Sequence, residues 1–373
     1  MLSARTKNKI IRRIPRLIAR LLDHQVLKGI FADITEHEVM DMCLLMPELF
    51  LADTALIQLR TDSPIMVVGD IYGQYGHLVR LFNYYGHPPN HKYLFLGNYI
   101  NQGPRSIETI SLLFAYKLCY PEDIFLLRGK HECARLAKYY GFYDECMKRF
   151  SRRIWNSVVQ VFSYMPSVAI VDDRVLCVHS GISPLLSHFD ITGIKGLKKF
   201  IRKSIGLPGE FESNILLTHF IWSDPDESIE TWEQNPAGLG YLYGHKAVED
   251  FCNRFNIQQI IRSSEMLQTG FEFFRNPKLL TIFSAPDYRE TYANDGGLVT
   301  LYRVFKEADT KGQINVLSPI IRLRCRQTLR MNITMTTVPI ELGQGEMDDE
   351  EDQSGENNSE RPFPTTVQQK VDN

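Results

Sequence analysis

Six short apolar runs, each ending abruptly at polar or small residues, set the strongest limit on how this chain folds. Ile65-Met66-Val67-Val68 ends in Gly69-Asp70, Tyr93-Leu94-Phe95-Leu96 in Gly97-Asn98, and Ile124-Phe125-Leu126-Leu127 in Arg128-Gly129-Lys130-His131. Val175-Leu176-Cys177-Val178 ends in His179, and Ile260-Ile261 runs into Arg262-Ser263-Ser264. Leu279-Leu280-Thr281-Ile282-Phe283 ends in Ser284-Ala285-Pro286-Asp287-Tyr288. Longer helical patterns separate the runs, so residues from 62 to 320 read as an α/β domain. In such folds functional groups collect where the carboxyl ends of strands meet loops. One Gly-Asp after a strand is only a turn; six ordered ends imply a single composite site.

The flanks are of a different kind. Residues 10–60 carry helical stripes, one of Ile14, Leu17, Ile18, Leu21 and Leu22, others of Val39, Met40, Cys43, Leu44 and Phe50. The formal net charge of −2 hides an asymmetry: residues 1–30 hold eight basic side chains and one acid, residues 341–373 ten acids and two bases. The run 347–356 has one apolar residue in ten, too few to offset its ordering entropy, so 341–373 is expected to be a disordered acidic tail. The basic head decorates an amphipathic helix without any nucleic-acid module, so a solvated face is expected and nucleic acid is not. No apolar run approaches the ~18 residues of a membrane span. Seven scattered cysteines without a C-x-x-C pair argue against a disulfide framework and a zinc finger, and for a reducing intracellular setting, cytoplasm or nucleus.

The ordered blocks GDIYGQYGHL, LFLGNYINQG, LLRGKHE, FYDEC, VHSGISP, WSDPD and SAPDY closely resemble the serine/threonine phosphoprotein phosphatases, a branch of the calcineurin-like metallophosphoesterases, and within them the type-1 catalytic subunits. The resemblance runs from about residue 10 to residue 300. It implies a β-sandwich of two mixed sheets flanked by helices. It divides the chain into an N-terminal helical segment of the catalytic-type domain (1–60), the metallophosphoesterase domain (61–320), a C-terminal extension (321–340) and the tail (341–373). It also implies two divalent metals (Mn, Fe or Zn) sharing a hydroxide that attacks phosphorus, two arginines gripping the phosphoryl group, and a histidine protonating the leaving alkoxide.

Carried over residue by residue, that site is largely dismantled. Asp70 and His179 keep metal-ligand positions, and His131 and Tyr288 keep catalytic ones. Tyr72 stands where the family has a histidine ligand, Asn98 for the bridging aspartate, Lys130 for an asparagine ligand and Ser264 for the last histidine. Asn101 replaces the aspartate supporting His131, while Gln102 and Ala237 replace the two phosphate-clamp arginines. An ammonium about 4 Å from a dication costs roughly 8 kcal/mol at an effective dielectric near 20. No metal, or at most one, is therefore expected. Lys130 is expected to pair with Asp70 across the vacated position, and a pocket of Lys130, His131, His179 and Arg289 could hold phosphate without hydrolysing it.

The resemblance thus implies a pseudophosphatase that binds phosphoproteins or phosphatase regulatory subunits. The alternative is a divergent metal-dependent serine/threonine phosphatase, a phosphoric monoester hydrolase using a metal-activated water. Members of the type-1 branch carry a groove for short basic-hydrophobic regulator motifs; Phe273 and Ile282 fit it, whereas Gln259 replaces an expected leucine.

Overall fold

Unbroken apolar runs of three or four residues make strands buried on both faces, and this chain uses them to build two stacked sheets. The structure is a computed structural model describing residues 2–275, 277–303 and 310–319 and the backbone of 335–340, without the side chains of 27 and 212. The expected acidic tail lies outside the described residues.

The first sheet has the order β1-β5-β6-β10-β12-β11, the second β15-β14-β13-β2-β3-β4, and a small third sheet β7-β9-β8. In the first, β1 is Leu56–Leu59, β5 Val168–Val171, β6 Val175–Val178, β10 Gln259–Arg262, β11 Phe271–Phe273 and β12 Leu279–Ile282. In the second, β2 is Ile65–Val68, β3 Lys92–Phe95, β4 Ile124–Leu126, β13 Gly296–Arg303, β14 Thr310–Leu317 and β15 Met335–Ile340. The third comprises β7 (Asp224–Pro225), β8 (Trp232–Gln234) and β9 (Tyr241–Tyr243). Both large sheets are mixed: β2, β3 and β4 run parallel, as do β6, β10 and β12, while β13 and β14 are antiparallel.

Alternation along the strands sorts their side chains between layers. Val67, Leu94, Phe125, Cys177, Ile261 and Leu280 meet between the sheets. Met66, Val68 and Phe95 point the other way, into a core formed with helices such as Glu36–Asp53 and Ser106–Cys119. On the far side Leu176, Val178, Ile260 and Leu279 pack on helices Gly193–Ser204, Ile215–Trp222 and His245–Phe255. Each such side chain, fully buried, is worth about 1.5–3 kcal/mol. The expected α/β sandwich of two mixed sheets flanked by helices is therefore the fold observed.

One expectation needs adjusting. Residues 10–60 are not helical throughout: the helix Glu36–Asp53 gives way to β1, which pairs in parallel with β5. Within the 321–340 extension, Met335–Ile340 is an added edge strand on β14. Among the described residues no helix is long and apolar enough to cross a membrane, and six cysteines are free.

Candidate functional site

The ends of β2, β3, β4, β6 and β10 meet because glycines let backbones touch. A Cβ on Gly97, whose φ is +116°, would lie 2.5 Å from Cα and N of Gly129, and one on Gly129 would lie 2.5 Å from the Asn98 nitrogen. Only glycine admits this approach. The two loops are then locked by Glu132, whose buried carboxylate accepts the backbone N–H groups of Asn98, Tyr99 and Gly129 at 2.7, 2.9 and 3.0 Å. Burial pushes this carboxyl up to about 7 against those three donors. Left-handed backbone recurs in the same loops, at Tyr72 (φ 52°), Asn98 (56°), Asn101 (72°), Gln102 (60°) and Ser264 (79°). For non-glycine residues such angles cost roughly 1–3 kcal/mol each.

Asp70 sits at the centre, fully buried. Asn98 Nδ2 donates to its Oδ2 at 3.0 Å, the Ser263 hydroxyl to Oδ1 at 2.8 Å and the Ser264 N–H to Oδ1 at 3.4 Å. Asn98 Nδ2 also donates to the Tyr72 hydroxyl at 3.0 Å, while its Oδ1 accepts the His131 N–H at 3.0 Å. A backbone N–H can only donate, so the amide orientation of Asn98 is determined: its N–H groups, not its oxygen, face Asp70 and Tyr72. Burial raises the Asp70 carboxyl to about 6, with Asn98, Ser263, Tyr72 and Ser264 pulling the other way. Burial and then the nearby Asp70 charge hold the Tyr72 phenol well above its usual value. Its ring packs on His131 and Tyr288, each at 5.0 Å.

His131 is held neutral. Asn101 Oδ1 accepts the Phe142 N–H at 3.1 Å, which turns its Nδ2 toward His131 Nδ1 at 2.8 Å. The imidazole nitrogen facing that donor must be the unprotonated one. Burial, then the charges of Lys130 and Arg289, push His131 down to about 3. An aspartate at this position would accept from this nitrogen and favour imidazolium; Asn101 does the reverse. Asn101→Asp should raise the imidazole by about one to three pH units. An NMR titration of the ring nitrogens checks this, and an unmoved titration would show that Asn101 does not set the protonation state.

The expected Lys130–Asp70 pair does not form. Asp70 accepts from Asn98, Ser263 and Ser264 instead, and the ammonium turns to Asp224 on β7, with Nζ 2.8 and 3.0 Å from its oxygens. Asp224 also accepts Arg262 Nη1 at 3.1 Å and the Ser180 hydroxyl at 2.6 Å. Burial alone would raise the Asp224 carboxyl, but Lys130 and Arg262 outweigh it and leave it below its usual range. Arg262, fully buried, is also paired with Glu265 and donates to Thr281 Oγ1 at 3.2 Å. Asp224, Arg262, Ser180 and Glu132 were not singled out as site residues from the sequence. The first and last stand in the recognised WSDPD and LLRGKHE blocks, and Arg262 directly precedes Ser263-Ser264 at a strand end.

His179 donates from Nδ1 to the Leu96 carbonyl at 2.9 Å, 3.9 Å from Asp70 Oδ1. Its buried Nε2 has no hydrogen-bond partner, and burial, then Lys130, keeps the ring far below its usual pKa. Half-exposed Gln102 is fixed through its backbone, its N–H donating to the Tyr140 carbonyl at 3.2 Å. Ala237 is exposed between β8 and β9, bonded to Asn235 Oδ1 at 2.9 Å and to no member of this cluster.

Two divalent metals do not fit this donor set. His179 Nε2 is an available imidazole nitrogen, but Asn98 turns N–H groups and not its oxygen toward Asp70 and Tyr72, and Ser264 is a poor ligand. Among the described residues no group of three or more His, Cys, Asp or Glu side chains is placed to hold a metal. The expected phosphate pocket changes as well: Lys130 is neutralised by Asp224, and His131 and His179 are uncharged.

The sequence pattern of the calcineurin-like phosphoesterases matches residues 63–263. The structure is similar to that of a protein serine/threonine phosphatase from Saccharomyces cerevisiae with similarity to human phosphatase PP5. That match has a TM-score of 0.69 and 24% identity, covering 90% of this chain and 98% of that one. A cold-active protein-tyrosine phosphatase of a psychrophile, Shewanella sp., matches with a TM-score of 0.47 and 13% identity, over 68% of this chain and 78% of that one.

Proposed function

We propose that this protein acts by binding and not by hydrolysis, reasoning from its family: the chain belongs to the calcineurin-like phosphoesterases. Within it we read the chain as a type-1-like serine/threonine phosphatase relative that has become a pseudophosphatase. The observation that carries this reading is the orientation of Asn98, whose N–H groups satisfy Asp70 and Tyr72 where the family's chemistry needs a bridging carboxylate. His131, neutral and fed a hydrogen bond by Asn101, is poorly suited to protonate a leaving alkoxide. Gln102 and Ala237 supply no guanidinium for a phosphoryl group.

Of the two partner classes, phosphoproteins and phosphatase regulatory subunits, we favour the second. The cations at the strand ends, Lys130 and Arg262, are already paired with Asp224. The regulator groove differs from expectation, however: Phe273 is exposed, but Ile282 is fully buried between the sheets and lines no surface. Gln259 is also buried, its Nε2 donating to the Pro277 carbonyl at 3.1 Å.

The test is an assay with phosphoserine and phosphothreonine peptides in Mn²⁺, beside His131→Ala and His179→Ala variants. We expect no turnover that distinguishes the wild type from the variants. Mn²⁺-dependent hydrolysis abolished by either substitution would establish the divergent-phosphatase alternative instead.

A further inference from the structure

The N-terminal helices Ala4–Ile11 and Ile14–Leu21 bury Ile10, Ile14, Leu17 and Leu21 against the body, which fixes where their basic side chains go. Cations near the body are neutralised: Lys7 pairs with Glu48, and Arg20 with Glu38 and, at 3.7 Å, Asp33. On the outer side, Arg5, Lys9, Arg12, Arg13 and Arg16, with Asn8, line one open concavity of about 650 Å³. All six are exposed, and among the described residues none of the five cations has an acidic partner. Among the described residues, acids therefore serve some of the N-terminal cations and none serves these five.

Like charges gathered in one hollow repel each other, and a ligand dense in negative charge turns that repulsion into binding. Four of the five are arginines, whose planar forks suit phosphate oxygens. We propose that this hollow is a binding site for a small soluble polyphosphate, a compact solute carrying several phosphate groups. The shape argues for that class. An anionic membrane would need apolar side chains to insert, but those of both helices face the core, and Ile11, 38% exposed, is the one large apolar exception on them. A nucleic-acid duplex calls for a longer basic stripe, whereas these residues converge on one cup.

Inositol hexakisphosphate serves as the probe, titrated into the full-length protein by calorimetry with inorganic phosphate as comparator. One saturable site is expected, tighter for the probe than for phosphate and weakened by added salt. The double variant R12Q/R16Q should bind about tenfold or more weakly, a loss of about 1.4 kcal/mol or more. Lys7→Gln, outside the cup, should leave binding unchanged, and thermal melts establish that both variants are folded. Absence of saturable binding, equal affinity of the folded double variant, or tighter binding to RNA, duplex DNA or phosphatidylserine vesicles would each overturn the proposal.

Discussion

Asp224→Asn will destabilise the fold by about 3–5 kcal/mol, the usual cost of removing one partner from a buried ion pair. The carboxylate lies between Lys130 and Arg262 and accepts the Ser180 hydroxyl, so its loss strands Lys130 and takes one of two carboxylates from Arg262. Glu265 still serves Arg262, but the described residues offer Lys130 no second carboxylate. For a chain of this size the melting temperature should fall by roughly 10 °C. Lys130→Met should be milder, because Asp224 keeps Arg262 and Ser180 and the Met side chain fills similar volume. Thermal denaturation of both variants checks this. A loss below about 1 kcal/mol for Asp224→Asn would show that the pair is not what compensates the buried cations.

The pH dependence has a definite sign. Asp224 is held below the ordinary aspartate value of 3.8, so its contribution is complete above that value and is lost as pH falls through the lower folded value. The gap between wild type and Asp224→Asn should therefore be full at neutral pH and close in acid. A gap that widened in acid would contradict the assigned ion pair.

The fold was more legible in the sequence than the site, for a physical reason. An apolar run such as Ile65-Met66-Val67-Val68 declares a strand because both faces must be buried, and every one of the six runs lies in a strand or continues one. β1 was hidden because Leu56–Leu59 contains Gln58 and follows a helix without a strong break, so its apolar residues read as more helix. At the site, the known blocks drew attention to Asp70, Asn98, Asn101 and His131, which a chain of hydrogen bonds links in the structure. Hydrogen-bond direction was invisible there: nothing in an asparagine's position says which end of its amide faces a carboxylate. The partner of Lys130 was misjudged on similar grounds. Asp70 looked available once the metals were discounted, but Asn98 and the Ser263-Ser264 turn donate to it instead, and Asp224 came from a distant segment.

Asn98→Asp should convert a metal-indifferent protein into a metal-responsive one. In the wild type, neither chelation by EDTA nor added Mn²⁺ or Zn²⁺ should move the melting temperature, because Asp70's oxygens already accept protein donors. The substitution removes the Nδ2 donor and places a second carboxylate at the position now 3.0 Å from Asp70. Without metal, two like charges must share a proton, as in any close carboxylate dyad. Asp70 already titrates near 6, and the new carboxylate can only push its pKa higher. A raised folded pKa contributes stability below the unfolded value of 3.8 and loses it as pH rises, so the variant should be weaker at pH 8 than at pH 5. With metal, the two carboxylates and the unpartnered His179 Nε2 make a three-ligand group of the kind absent among the described residues of the wild type. A divalent ion at a hundred times its dissociation constant would return about 2.7 kcal/mol. Elemental analysis should find no stoichiometric metal in the wild type and about one ion per chain in the variant, held on one side because Lys130, Tyr72 and Ser264 still block a second. Two stoichiometric ions in the wild type would mean that Asn98 turns its oxygen inward when metal is present, and the binding-protein reading would give way to the hydrolase.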